Sequence, residues 1–166
     1  MNGLRRVGAL VARTLRALAP GLARPADDWA AAWLEEDERA AYLAMDPRDR
    51  DHGCRVARRL LALHPEAEAI GVRAALLHDV GKSARPYRVW ERVLVHLWVP
   101  SADAAERFPA AWRAAWRTQR EHARIGAERL RAAGVDARVV QLVARHHDPP
   151  GDDRLLVWLT EADQGA

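Results

Sequence analysis

Residues 74–82 read AALLHDVGK, an apolar run that ends in a histidine–aspartate pair followed by Val80, Gly81 and Lys82. At helical spacing Val72, Ala75, Leu76, Asp79 and Val80 fall on one stripe, with His78 one step around it. The spacing predicts a helix over residues 66–80, closed by Gly81 as a C-cap. An imidazole and a carboxylate then point where a hydrophobic core is expected. Buried polar groups of that kind are costly unless something pairs with them.

The same pattern recurs on both sides. Upstream, residues 50–64 form a predicted helix with His52, Val56, Leu60 and Leu63 on one face. Downstream, His122 aligns with Ile125, Leu130 and Ala133 in a helix over residues 119–133 that Gly134 stops. Asp136 caps a helix in which Val139 and Val143 align with His146 and His147. In a last helix, over residues 153–163, Leu156 and Leu159 lead to Asp163. Seven polar ligand-type groups on five helices thus aim at one interior. Taken singly, each histidine reads as a hydrogen-bonded core residue, Asp79 as a cap on the loop after Gly81 and Asp163 as a frayed C-terminal charge; together their simplest common partner is a metal cluster, since neutral imidazoles and carboxylates ligate Mn, Fe, Zn or Mg. His64, before Pro65, and His96, beside Leu97, are read as structural.

The rest of the chain reads as helix too. Residues 27–45 carry Trp29 and Trp33 behind a cap at Asp27 or Asp28, and Asp46-Pro47 breaks that helix. Residues 87–98 place Trp90, Val93, Leu94 and Leu97 on one face, Ser101 caps a short piece, and residues 110–117 form a separate turn with Trp112 and Trp116. Those two rings, four apart, suit a core face; alternating with arginine, they also suit stacking on a nucleobase. Residues 4–18 are amphipathic, with Leu4, Val7, Val11, Leu15 and Leu18 opposite arginines. That helix is expected to pack on the domain, with contact to a membrane surface or partner as the alternative. Ala, Leu, Arg and Glu dominate the 166 residues, Phe occurs once and Ile twice, so the fold class is all-α, an orthogonal helical bundle.

Charge and cysteine content narrow the function. The 26 basic side chains nearly balance 23 acidic ones, and no Lys/Arg run or zinc-finger pattern is present, so specific nucleic-acid binding is not expected. Of the basic residues only Lys82 is lysine. A single cysteine, Cys54, fits a reducing compartment, no apolar run reaches membrane-spanning length, and the arginines at the start break up any signal-peptide core. A cytoplasmic location is expected.

The ordered set His52 in RDHGCRVARRL, His78-Asp79 in AALLHDVGK, His122 in EHARIGAERL, His146-His147 in VARHHD and Asp163 in LLVWLTEAD resembles the HD superfamily of metal-dependent phosphohydrolases. The resemblance covers residues 50–163, and divides the chain into an N-terminal helical extension, 1–45, and an HD-type domain, 46–166. It implies that His52, His78, Asp79 and Asp163 hold one divalent ion. Asp79 would bridge to a second, held further by His122, His146 and His147. The extra histidines resemble the two-metal branches, which include cyclic-dinucleotide phosphodiesterases and diadenosine tetraphosphate hydrolases. His147 is followed by DPPGDD, so the GYP segment of one cyclic-dinucleotide branch is missing.

The implied chemistry is hydrolysis of a small-molecule phosphomonoester or phosphodiester, of nucleotide or dinucleotide type, by a metal-activated hydroxide. Lys82, just past Gly81, would meet a phosphate oxygen as a point charge and Arg85 in KSARPY would add a bidentate contact. The alternatives are a di-iron oxygenase with the same ligands and a non-catalytic metal or nucleotide sensor. The chain runs three residues past Asp163, where fraying would make the first site depend on metal or a neighbouring subunit.

Overall fold

A computed structural model describes residues 23–166. The predicted helix over residues 4–18 lies outside the described residues, as does the side chain of His96. Among the described residues there are nine α-helices and no strand: α1 (Asp27–Ala31), α2 (Glu36–Leu43), α3 (Pro47–Leu63), α4 (Ala69–Leu77), α5 (Val89–Leu97), α6 (Ala102–Ala105), α7 (Ala110–Ala132), α8 (Ala137–Arg145) and α9 (Arg154–Gln164). A 3-10 turn, Val80–Ala84, links α4 to α5. The fold is all-α, as expected. None of these helices is long and apolar enough to cross a membrane.

Helix boundaries follow local chemistry. Pro47 occupies the first turn of α3, where its missing N–H costs nothing, and the Asp46 carboxylate accepts the Arg48 N–H at 2.9 Å. Asp136 and Asp153 cap α8 and α9 in the same way. Gly134, at φ 80°, takes the left-handed conformation that ends α7. The single helix expected over residues 27–45 is instead two. A capping box at Glu35 and Glu38 starts α2 afresh, and Glu38 is fully buried on a fork of Arg73 hydrogen bonds at 2.7–3.0 Å. The break expected between residues 117 and 119 does not exist: α7 is one continuous rod of 23 residues. Thr118 is accommodated there by bonding its hydroxyl back to the Ala114 carbonyl at 3.0 Å.

The buried apolar residues among those described form two hydrophobic cores. The larger packs α3, α4, α8 and α9 together through Val56, Leu60, Leu76, Val139, Val143 and Leu159, with Leu34, Tyr42 and Met45 of the α1–α2 region joined to it. The smaller gathers Tyr87, Val95, Ala105, Ala115 and Trp116, with Trp112 and Phe108 against it. Trp116 is wholly buried and donates its indole N–H to the Trp98 carbonyl at 2.8 Å. The face expected to be buried on α5 is not the buried one. Glu91, Arg92 and Val95 turn inward, while Trp90 and Leu97 are exposed. Ion pairs decide this: Glu91 binds Arg85 and Arg92 binds Asp49, and a half-exposed Trp costs less than leaving either charge buried alone.

Two close backbone crossings hold α3 on α4 and the 3-10 turn on α7. A Cβ on Gly53 would sit 2.8 Å from the Leu76 carbonyl oxygen, so α3 lies directly on α4. Gly81 does not cap a helix. It lies in the 3-10 turn, where a Cβ would fall 1.9 Å from the His122 carbonyl oxygen and 2.7 Å from the Gly126 nitrogen. The turn is thereby pressed onto α7.

Candidate metal centre

The glycine crossings place the candidate ligands. Gly53 follows His52 and brings α3 to the end of α4, so His52 and His78 meet with ring centroids 5.2 Å apart. Gly81 follows Asp79 by two residues and brings the turn to α7, where Asp79 Oδ1 lies 3.2 Å from His122 Nε2. From α9, Asp163 Oδ1 reaches His52 Nε2 at 2.9 Å and His78 Nε2 at 3.8 Å. At the end of α8, His146 Nε2 lies 3.3 Å from His122 Nε2, and His147 Nε2 lies 3.1 Å from it. All seven residues singled out by the sequence are therefore brought together.

They fall into two groups. His52, His78 and Asp163 have their ligand atoms within 4.8 Å of one another, and so do His122, His146 and His147. Either group could hold a metal ion. Asp79 stands between them, with Oδ1 toward His122 and Oδ2 3.5 Å from His78 Nε2.

The donor chemistry fits a cation. His78, His122 and His146 each place Nδ1 on the backbone carbonyl three residues earlier, at 2.9, 2.8 and 2.7 Å. An Nδ1–H that donates there fixes the tautomer and leaves the Nε2 lone pair free, pointed at the centre. His52 differs, with Nδ1 facing the Arg55 guanidinium at 3.4 Å. Burial pushes the pKa of His146 well down, and neighbouring His78 and His147 add to that. Burial also lowers His52 and His147, although Asp163 opposes it at His52. In these three rings burial thus favours the neutral form, the form in which an imidazole ligates. The carboxylates go the opposite way. Burial alone would raise Asp79, but Lys82, His78 and His122 hold it well below the usual range, and His52 and His78 do the same for Asp163 against its own burial. Imidazole nitrogens converging on ionised carboxylates make a donor set that a divalent ion would complete.

Lys82 places Nζ 2.7 Å from Asp79 Oδ2, its side chain mostly buried. Arg85 is turned toward Glu91, bonding it at 2.5 and 3.3 Å. His64 stacks on Trp158 and pairs with Glu161 at 3.1 Å, away from the cluster, as a structural histidine would. Sequence reading missed the fork between Arg92 and Asp49, at 2.8 and 2.9 Å and almost fully buried, one helical turn before His52. Its signal was present: Asp49 shares a helix face with His52 at a spacing of three.

An all-α bundle that brings histidines and aspartates from five helix ends and faces together has the donor set of a helical protein that could hold metal. A family model of the HD domain matches residues 49–164, and the chain belongs to the HD domain family. Searches of curated proteins and of solved structures return no match to it.

Proposed function

We propose that the chain is a divalent-metal-dependent phosphohydrolase that acts on a phosphomonoester or phosphodiester of nucleotide or dinucleotide type. The observation that carries this reading is the position of Asp79, one oxygen toward each histidine group, with Lys82 on the oxygen that faces His78. His52, His78 and Asp163 would hold one cation, His122, His146 and His147 a second, and Asp79 would span them. Divalent cations supply Lewis acidity toward phosphate oxygens and lower the pKa of a coordinated water.

The chain's own groups supply the rest. Asp79 fixes the spacing of the two groups. The Lys82 ammonium, held beside it, offers a point charge to a phosphate oxygen, and a hydrolase needs such a cation more than an oxygenase does. Arg85 adds a second phosphate contact by leaving Glu91. His147 is the exposed member of the set and marks the side from which substrate enters. The exposed ring of Trp90, 6.3 Å from the half-buried Trp112, offers a surface on which a base can stack. A cytoplasmic location accords with the unpaired, buried Cys54.

The test is phosphate or p-nitrophenol release from bis-p-nitrophenyl phosphate and a panel of nucleotides, with Mn²⁺, Fe²⁺ or Mg²⁺. Metal-dependent turnover that vanishes in Asp79→Ala is the expected result. Stoichiometric metal binding without turnover on any substrate overturns it, and dioxygen consumption by the iron-loaded protein would replace it with the oxygenase reading.

A further inference from the structure

One apolar helix face is left without a partner among the described residues. Of the exposed large apolar side chains, Val89, Trp90, Leu97, Trp98 and Val99 fall in a single stretch of chain, whereas Leu43, Leu63 and Val157 stand singly. On α5 Val89, Val93 and Leu97 recur every four residues, so they share a stripe turned away from the buried Glu91, Arg92 and Val95. Leu97 keeps 77% of its surface and Trp98, just beyond it, 48%. Trp90 lies at the edge of the stripe, beside Trp112. A contiguous apolar surface of this kind marks a place where something docks. Two exposed acids follow it closely, Asp103 in α6 and Glu106 just after that helix.

The sequence supplies an occupant of matching pattern. Leu4, Val7, Val11, Leu15 and Leu18 form an apolar stripe, with Arg5, Arg6, Arg13 and Arg16 off it. As a helix that stripe would be about 21 Å long. The α5 face, continued by the extended Trp98 and Val99, measures about 19 Å. The tether is long enough, since residues 19–26 can span up to about 27 Å. It leads into α1, where Asp27 pairs with Arg50 at 3.4 Å, and the neighbouring Asp49 holds Arg92 of α5 at 2.8 Å. The tether thus ends two side-chain contacts from α5. A tethered segment meets the face at an effective concentration on the order of millimolar, above that of a second copy in dilute solution. Its arginines would face water and the acids at Asp103 and Glu106. A helix of that length is marginal by itself, so a surface is what gives its stripe a use. We infer that residues 4–18 dock as a helix on the Val89, Val93 and Leu97 face of α5, with Trp98 and Val99 at its end. The inference stands apart from the hydrolase reading.

The test uses the full chain with a cysteine at the middle of each stripe, so that docking in either direction brings the two thiols together. Cys54 is buried and is left in place. Val11→Cys/Val93→Cys is expected to form a disulfide within one chain, at a yield independent of protein concentration. It should form at least about tenfold faster than in Val11→Cys/Gln141→Cys, where the second thiol sits on the exposed surface of α8. Disulfide-linked dimers that increase with concentration overturn the inference and give the face to a second copy. Equal rates in the two variants overturn it as well, and co-sedimentation with phosphatidylglycerol vesicles would then assign the segment to a membrane surface. A second measurement needs no cross-link. Leu97 belongs to neither core, so Leu97→Cys leaves both intact. Adding Leu15→Asp to it is expected to raise the rate at which the introduced thiol reacts with iodoacetamide at least about tenfold, as undocking uncovers the face. An unchanged rate overturns the inference. Neither readout uses metal or turnover, so failure of the hydrolase reading leaves both standing.

Discussion

The backbone crossing at Gly81 can be tested by adding one methyl group. In Gly81→Ala the new Cβ would stand 1.9 Å from the His122 carbonyl oxygen, with the Gly126 nitrogen at 2.7 Å. Neither neighbour is the end of a flexible side chain. Restoring ordinary contact, near 3.4 Å, requires the turn and α7 to separate by about 1.5 Å. Overpacking that only backbone movement can relieve lies at the upper end of the usual range, about 3 kcal/mol. For a domain of this size that is a fall of roughly 6–12 °C in Tm. The same separation opens the 3.2 Å contact between Asp79 and His122, which joins the two ligand groups. A displacement of about 1 Å at a reacting centre costs on the order of 100-fold in rate. Scanning calorimetry, metal content by mass spectrometry and phosphate release are the assays. Gly134→Ala is the control, a positive-φ glycine with open space around it, expected to lose about 1 kcal/mol and no metal. Gly81→Ala with an unchanged Tm and full metal content would refute the claim that this crossing sets the site.

Glu38→Ala leaves the Arg73 guanidinium facing an empty buried site and should cost about 3–5 kcal/mol, read by urea denaturation; a loss under 1 kcal/mol would show the pair to be dispensable. His122→Ala should halve metal stoichiometry while His52, His78 and Asp163 still bind, as titration calorimetry with Mn²⁺ can show, and full stoichiometry would speak against two groups. In chelator, stability should fall as pH drops from 7 to 5. Burial lowers the pKa of His52 and His146, so the unfolded chain takes up protons through pH 6.5 that the native state refuses, each at up to about 1.4 kcal/mol per pH unit. The depressed carboxylates, Asp79 and Asp163, withdraw their share below pH 3.8. A Tm that does not change between pH 7 and 5 would contradict the buried neutral imidazoles.

The all-α class and the gathering of the seven candidate residues were legible because apolar spacing and polar exceptions to it survive in one dimension. His52 rides with Val56 and Leu60, and the structure buries both of those completely. What periodicity could not show was which of two competing faces wins. On α5 it favoured Trp90 and Leu97, yet partners 43 residues away, at Asp49, turned Arg92 inward. Gly81 misled for a related reason. A glycine after a helix suggests a left-handed cap, and only the distance to α7 reveals that its missing side chain serves a contact. The split between α1 and α2 lay in the Glu35–Glu38 capping box, a signal weaker in sequence than the aromatic spacing that ran across it.

The bond between His52 and Asp163 spans 111 residues of chain. At about 5–20 residues per second of synthesis, His52, His78 and Asp79 are out for on the order of ten seconds before Asp163 exists. During that interval the growing chain carries His52, His78 and Asp79 without the carboxylate that completes their group. The group at His122, His146 and His147 is completed earlier, within a much shorter stretch. If each group takes a cation, their places along the chain would put His122, His146 and His147 together before Asp163 can complete the other group.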